Sequence, residues 1–205
     1  MMQEVALQHS QRSVTQEIRT EIIRKTIHLS IALTPFVAAI FGTTITLAIL
    51  ALGTLVYTAA ETQRRHGYAV PVISRLTVLS SRGRDWDHFV LGPITLGTGA
   101  MLALLLYPNP AATIAIYALA FGDGLASFAG KLYGRTRIPG TRGKTLEGSL
   151  TCAAAVATST YLVYPEPKVA AVTTIGATIL EALPTGDADN LILPVGVGLI
   201  ASLLV

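Results

Sequence analysis

Seven apolar stretches, at about 26–41, 43–60, 89–107, 111–128, 149–164, 169–183 and 191–205, limit what this chain can fold into. In a bilayer every backbone N–H and C=O must find a partner inside the protein, so runs of this kind become helices. Several are shorter than the ~20 residues that cross ~30 Å of hydrocarbon. Their polar ends are expected to extend the helices into the interface. Charged residues make up only 13% of the chain and hydrophobic ones 51%, whereas soluble domains carry about 25% charged residues. The expected fold is therefore all-α: a polytopic membrane protein of about seven short transmembrane helices, forming one integral membrane domain over 1–205.

Lys and Arg predict the orientation. Fourteen of the fifteen basic residues fall on one side if every run spans, and Lys168 alone falls on the other. They lie before the first run (Arg12, Arg19, Arg24, Lys25), after the second (Arg64, Arg65, Arg75, Arg82, Arg84) and after the fourth (Lys131, Arg135, Arg137, Arg142, Lys144). The positive-inside rule places this side, with the polar N-terminal segment 1–20, in the cytoplasm and the C-terminus opposite. Residues 1–20 lack the apolar core of a cleavable signal, so the first helix is expected to act as its own insertion signal. The opposite loops are brief: Gly42, Pro108-Asn109-Pro110 and Pro165-Glu166-Pro167.

Function is thus expected on the cytoplasmic face. Its loops are 61–88 and 129–148. Within the first, Val72, Ile73, Leu76 and Leu79 recur at helical spacing and predict an interfacial amphipathic helix, with Trp86 at headgroup depth. Ser13 and Gln16 fit a capping box for a first helix starting near Val14. The net charge of +3 reflects this topology and does not argue for a nucleic-acid partner. The single cysteine, Cys152, excludes an internal disulfide and a cysteine-based metal cluster.

The most informative stretch is FGDGLASFAGKLYGRTRIPGTRGKTLEGS, from Phe121 to Ser149. Asp123 stands in an apolar helix, where an ionised carboxylate costs several kcal/mol unless compensated and marks function by default; the alternative is a structural ion pair with a basic residue on a neighbouring helix. Gly122 and Gly124 let another backbone or a ligand come close. Ser127, Gly130 and Lys131 follow near the same helical face, and Gly130 and Gly134 would leave room for a phosphate. Arg135, Arg137 and Arg142 add positive charge, or serve topology alone. Lys144, Thr145, Glu147, Gly148 and Ser149 open the fifth run, where helix N–H groups attract anions. A carboxylate beside such a cluster normally holds a divalent cation.

Two further groups share that side. Glu21, Arg24, Lys25 and His28 are spaced 0, 3, 4, 7 and lie on one helical face. They suit a phosphate or headgroup contact; a satisfied hydrogen-bonding group is the plain account of His28 and a snorkelling anchor that of the two cations. Glu181, Asp187, Asp189 and Asn190 lie between the sixth and seventh runs. Asp189-Asn190 would cap the last helix, which leaves Glu181 unexplained. Glu61 and Arg64 end the second run as an i, i+3 pair, for which a surface pair is an adequate account.

At these residues the chain resembles the CTP-dependent polyprenol kinases: dolichol, phytol and farnesol kinases, and the CTP-dependent diacylglycerol kinase. The matching pieces are RKTIH from Arg24, ETQR from Glu61, FGDGLASFAGKLYG from Phe121, GKTLEGS from Gly143, and Glu181 followed by DNLILP from Asp189. Their order holds from Arg24 to Pro194, most of the chain. The block also resembles part of phosphatidate cytidylyltransferase. That family, however, carries a later His-Gly-Gly stretch and an Asp-Arg-x-Asp motif, and this chain reads EALPTGDADN there.

The resemblance implies transfer of the γ-phosphoryl of CTP to a lipid alcohol, with Mg2+. It implies catalytic roles for Asp123, Lys144, Glu147, Asp189 and Glu181, with Asp123, Glu147 and Asp189 as candidate metal ligands. The nucleotide would contact Gly122, Gly124, Ser127, Lys131, Gly134, Arg135, Thr145, Gly148, Ser149 and Asn190. Arg24, Lys25, His28, Glu61 and Arg64 would lie on the substrate side. There is no complete P-loop: Ile138 stands where the leading glycine belongs. The alternatives are synthesis of a CDP-lipid from phosphatidate and, in another class, an anion transporter. The oligomeric state is open, a homodimer included.

Overall fold

The computed structural model describes residues 20–68 and 89–205. The proposed cap at Ser13, Arg12, Arg19, most of the interfacial segment 68–88 and the side chain of Asp187 lie outside the described residues. Each of the seven apolar runs lies on a helix, and no strand occurs among the described residues. The helices are α1 (Thr20–Phe41), α2 (Thr43–Arg65), α3 (Gly92–Leu106), α4 (Ala111–Tyr133), α5 (Leu146–Val163), α6 (Pro167–Ala182) and α7 (Asp189–Ser202). Three of them, α1, α2 and α4, are long and apolar enough to cross a membrane. The chain is thus all-helical and carries the features of a membrane-embedded protein.

Local chemistry sets the boundaries. Gly42, at φ +84°, makes the reversal from α1 to α2, a left-handed conformation open to glycine. Pro93 and Pro167 sit in the first turns of α3 and α6, where a missing N–H costs nothing. Thr145 caps α5 by accepting a hydrogen bond from Gly148 N–H at 3.2 Å. Both expected loops begin later than predicted. Helix α2 persists to Arg65, and α4 and α5 leave only 134–145 between them.

Helix α4 is the centre of the bundle. Its apolar window is 61% buried, against 11% for α2. Ile114, Ile116 and Leu119 of α4 are fully enclosed, and α4 packs on α1, α3, α5, α6 and α7. Helix α2 touches α1 and α3 and exposes Ile45, Ile49, Leu52, Leu55 and Val56. An apolar face of that extent suits lipid rather than water. Small residues let the helices close up, as in other membrane bundles. A Cβ on Gly99 of α3 would overlap the Asn190 carbonyl of α7.

Polar contacts between helices gather at one end of the bundle. There the starts of α1, α3, α5 and α7 meet the ends of α2, α4 and α6. Lys131 Nζ reaches Glu21 Oε2 at 3.0 Å, tying α4 to α1. Glu61 receives Val90 N–H at 3.0 Å, tying α2 to the approach to α3.

Candidate functional site

Asp123 lies where α1 and α5 clasp α4. Its Oδ2 stands 3.4 Å from His28 Nε2 and 3.9 Å from Lys25 Nζ, both of α1. Its flanking glycines make room for helices rather than for a ligand. A Cβ on Gly122 would press on Val156 and Cys152 of α5, and one on Gly124 on His28 and Leu29 of α1. Residues Ala118–Asp123 wind as a π-helix, a rare turn that gathers at functional sites.

A second group forms around Lys144. The loop before α5 reverses through an antiparallel bridge between Arg137 and Thr145. Ile138 N–H donates to Lys144 O at 2.9 Å, and Leu146 N–H to Thr136 O at 2.9 Å. Gly140, Arg142 and Gly143 take positive φ; the non-glycine Arg142 does so at a local steric cost. This reversal turns Lys144 into the bundle. Its Nζ lies 3.1 Å from Glu181 Oε1 and 3.0 Å from Asp189 Oδ2, and it also donates to the Glu181 carbonyl. Burial pushes the Lys144 ammonium down, but the Glu181 and Asp189 carboxylates outweigh it, and its pKa rises above the ordinary lysine value. Ser149 Oγ donates to Glu181 Oε2 at 3.3 Å, and Thr185 Oγ1 donates to Asp189.

The two groups share one electrostatic neighbourhood. Asp123 feels the charges of Lys144 and Arg24 as well as Lys25, and Asp189 feels Asp123 and Glu181. The three sequence segments expected to carry chemistry therefore converge.

Other expected site residues are placed differently. Glu147 points away: both its oxygens accept from Thr136 N–H, at 3.1 and 3.3 Å, on the exposed side. It lines a hollow of about 380 Å³ with Leu132, Tyr133, Gly134 and Arg135, a lining that includes none of Asp123, Glu181 and Asp189. The space expected for a phosphate at Gly130 and Gly134 is taken by the Thr145 side chain, and Gly148 packs on Ala126 O. Asp189 does not cap α7. The capping position is Ala188, and Asp189 instead receives Lys144 and Thr185. Asn190 Nδ2 donates to Thr95 Oγ1 at 2.9 Å and so joins α7 to α3.

Glu61 is not a surface residue: it is 1% exposed and accepts two bonds from Arg64, at 2.7 and 2.6 Å. Lys131 and Arg24 both bind the buried carboxylate of Glu21. Ser127 is half-buried one turn beyond Asp123, and Arg135 is exposed. Sequence reasoning missed Thr185 and the Leu119 carbonyl, which accepts from His28 Nε2 at 2.8 Å. Thr185 precedes Asp189 by four residues across a turn, a local signal. The Leu119 contact spans 91 residues and leaves no mark in the sequence.

Among the described residues no three His, Cys, Asp or Glu side chains form a ready-made metal cluster. Magnesium needs less: one or two carboxylates, with phosphate oxygens and water completing the shell. Asp123 and Asp189 carry the hard oxygen donors such a site uses, each standing beside a lysine, Lys25 and Lys144; Glu147 faces outward. Comparison with protein-family models, curated proteins and solved structures yields no match to this chain.

Proposed function

We propose that the protein is a membrane lipid kinase that moves the γ-phosphoryl of CTP to the hydroxyl of a polyprenol, phytol-type alcohol or diacylglycerol. One observation carries the reading: Asp123 with Lys25 and His28, and Lys144 with Glu181 and Asp189, meet at the basic end of an apolar bundle. Phosphoryl transfer requires positioning and charge neutralisation more than covalent chemistry by the protein. Lys144 and Lys25 offer ammonium groups to phosphate oxygens. The three acids leave the pair of lysines short of positive charge, so the group does not suit a bare polyphosphate. Asp123 and Asp189 would hold Mg2+, which neutralises the nucleotide's phosphates. One carboxylate beside Lys144, Asp189 or Glu181, takes the proton as the lipid oxygen bonds to phosphorus and CDP leaves. The lipid tail stays among apolar helices, so only its head reaches the site.

In this reading all seven helices cross the bilayer, the site faces the cytoplasm and the C-terminus lies opposite. The test is transfer of label from γ-labelled CTP, with Mg2+, to prenols, phytol and diacylglycerol by protein purified in nanodiscs. A labelled lipid phosphate and CDP are expected. No transfer to any alcohol would reject the reading. Phosphatidate belongs in the same panel, since release of pyrophosphate with a CDP-lipid would mark nucleotidyl transfer instead.

A further inference from the structure

The π turn of α4 needs a cause. Its sequence, ALAFGD, contains no proline to force a defect. Relaxing it into regular α-helix would remove one residue from the turn and rotate Asp123 by about 100° against the helix before it. Gly122 makes the turn pliable, and a contact from outside α4 can hold it wide.

His28 is placed to do so. Its Nε2 lies 2.8 Å from Leu119 O and 3.4 Å from Asp123 Oδ2. A carbonyl only accepts, so the hydrogen sits on Nε2. One ring nitrogen thus touches the second residue of the wide turn and faces its last. Leu119 is fully buried, where a carbonyl without a partner is costly. The ring has little freedom to drift: a Cβ on Gly124 would already stand 3.1 Å from His28 Cδ2. On the other flank, a Cβ on Gly122 would stand 2.9 Å from Val156 Cγ2, so α5 blocks α4 from moving away.

We propose that His28 is a positioning residue: its Nε2–H holds the π turn of α4 at Leu119 and so fixes the direction of the Asp123 carboxylate. The catalytic consequence rests on the lipid-kinase reading; the hold on the turn does not.

His28→Gln keeps an N–H at about the reach of Nε2, and His28→Leu removes it. Both variants and the native chain are compared in nanodiscs by amide hydrogen exchange over 118–125 and by steady-state kinetics with CTP. His28→Leu is expected to speed exchange about fivefold or more. It should lower kcat by about a hundredfold, as misplaced catalytic groups do, with KM for CTP within about twofold. His28→Gln should restore slow exchange and most of kcat. Should His28→Leu not fold, His28→Asn, whose amide is too short to reach Leu119, takes its place. Unchanged exchange in the donor-less variant overturns the proposal, as does a folded His28→Gln that exchanges as fast as that variant. If the native chain phosphorylates no lipid while exchange follows the expected pattern, the kinase reading fails and this one stands.

Discussion

Lys144 Nζ lies 3.1 Å from Glu181 Oε1, joining the loop before α5 to the last turn of α6 across 37 residues of sequence. Glu181 is 5% exposed, so little water reaches its carboxylate and Lys144 is its charged neighbour. Removing one partner of a buried pair strands the other. Lys144→Met should therefore cost about 3 kcal/mol of stability, read by denaturant titration in micelles, and abolish phosphoryl transfer.

The same pair sets a pH dependence. The pKa of Lys144 is raised in the folded chain, so its stabilising contribution is complete below the unfolded value of about 10.4. That contribution is lost only as pH climbs through the still higher folded value. Thermal stability attributable to this pair should fall above about pH 10.4. In Lys144→Met the alkaline fall should be smaller. A native chain whose alkaline fall is no larger than that of Lys144→Met would contradict the pairing.

Asp123→Asn tests the centre of the site. The amide keeps the shape of the side chain but not its charge. We expect kcat to drop at least about a hundredfold while helical circular dichroism is retained. Loss of fold with proportionate loss of activity would instead mark Asp123 as a structural ion pair with Lys25.

Glu61→Ala should destabilise by about 3 kcal/mol. Arg64 and Val90 N–H both rest on this enclosed carboxylate, and the link closes the end of α2 onto the approach to α3. Glu61→Gln should recover part of the loss, because its carbonyl still accepts from Val90 N–H. Equal melting temperatures for all three chains would refute the buried link.

Topology is open to labelling, because native Cys152 is buried and should contribute little background. In whole cells, a cysteine at Glu166 should react with an impermeant maleimide, and one at Arg137 only after permeabilisation. Labelling of both from the same side would exclude seven spans.

Much of the architecture was legible along the chain, since helices depend on local composition. Each apolar run is a helix, Gly42 turns where a left-handed residue is needed, and Thr145 caps α5. The alternation of basic and non-basic loops also indicated which segments would share an end of the bundle. The roles of single polar residues were less accessible. Asp189 read as a helix cap or a metal ligand, Glu61 as a surface pair or a substrate contact, and Glu147 as a metal ligand with Asp123. Their partners, Lys144, Val90 N–H and Thr136 N–H, are set by loop reversals and by which helix lies alongside.

The sequence by itself determined an all-helical, membrane-suited chain with its charges at one end, because the period and sign of side chains act locally. Only the tertiary structure decided that Asp123 faces Lys25 and His28 through a π turn, and that Lys144 stands between Glu181 and Asp189. Those meetings depend on helix rotation and close approach, which follow from packing many distant residues at once. A change of one residue in a single turn of α4 would redirect Asp123 while leaving the sequence pattern almost unaltered.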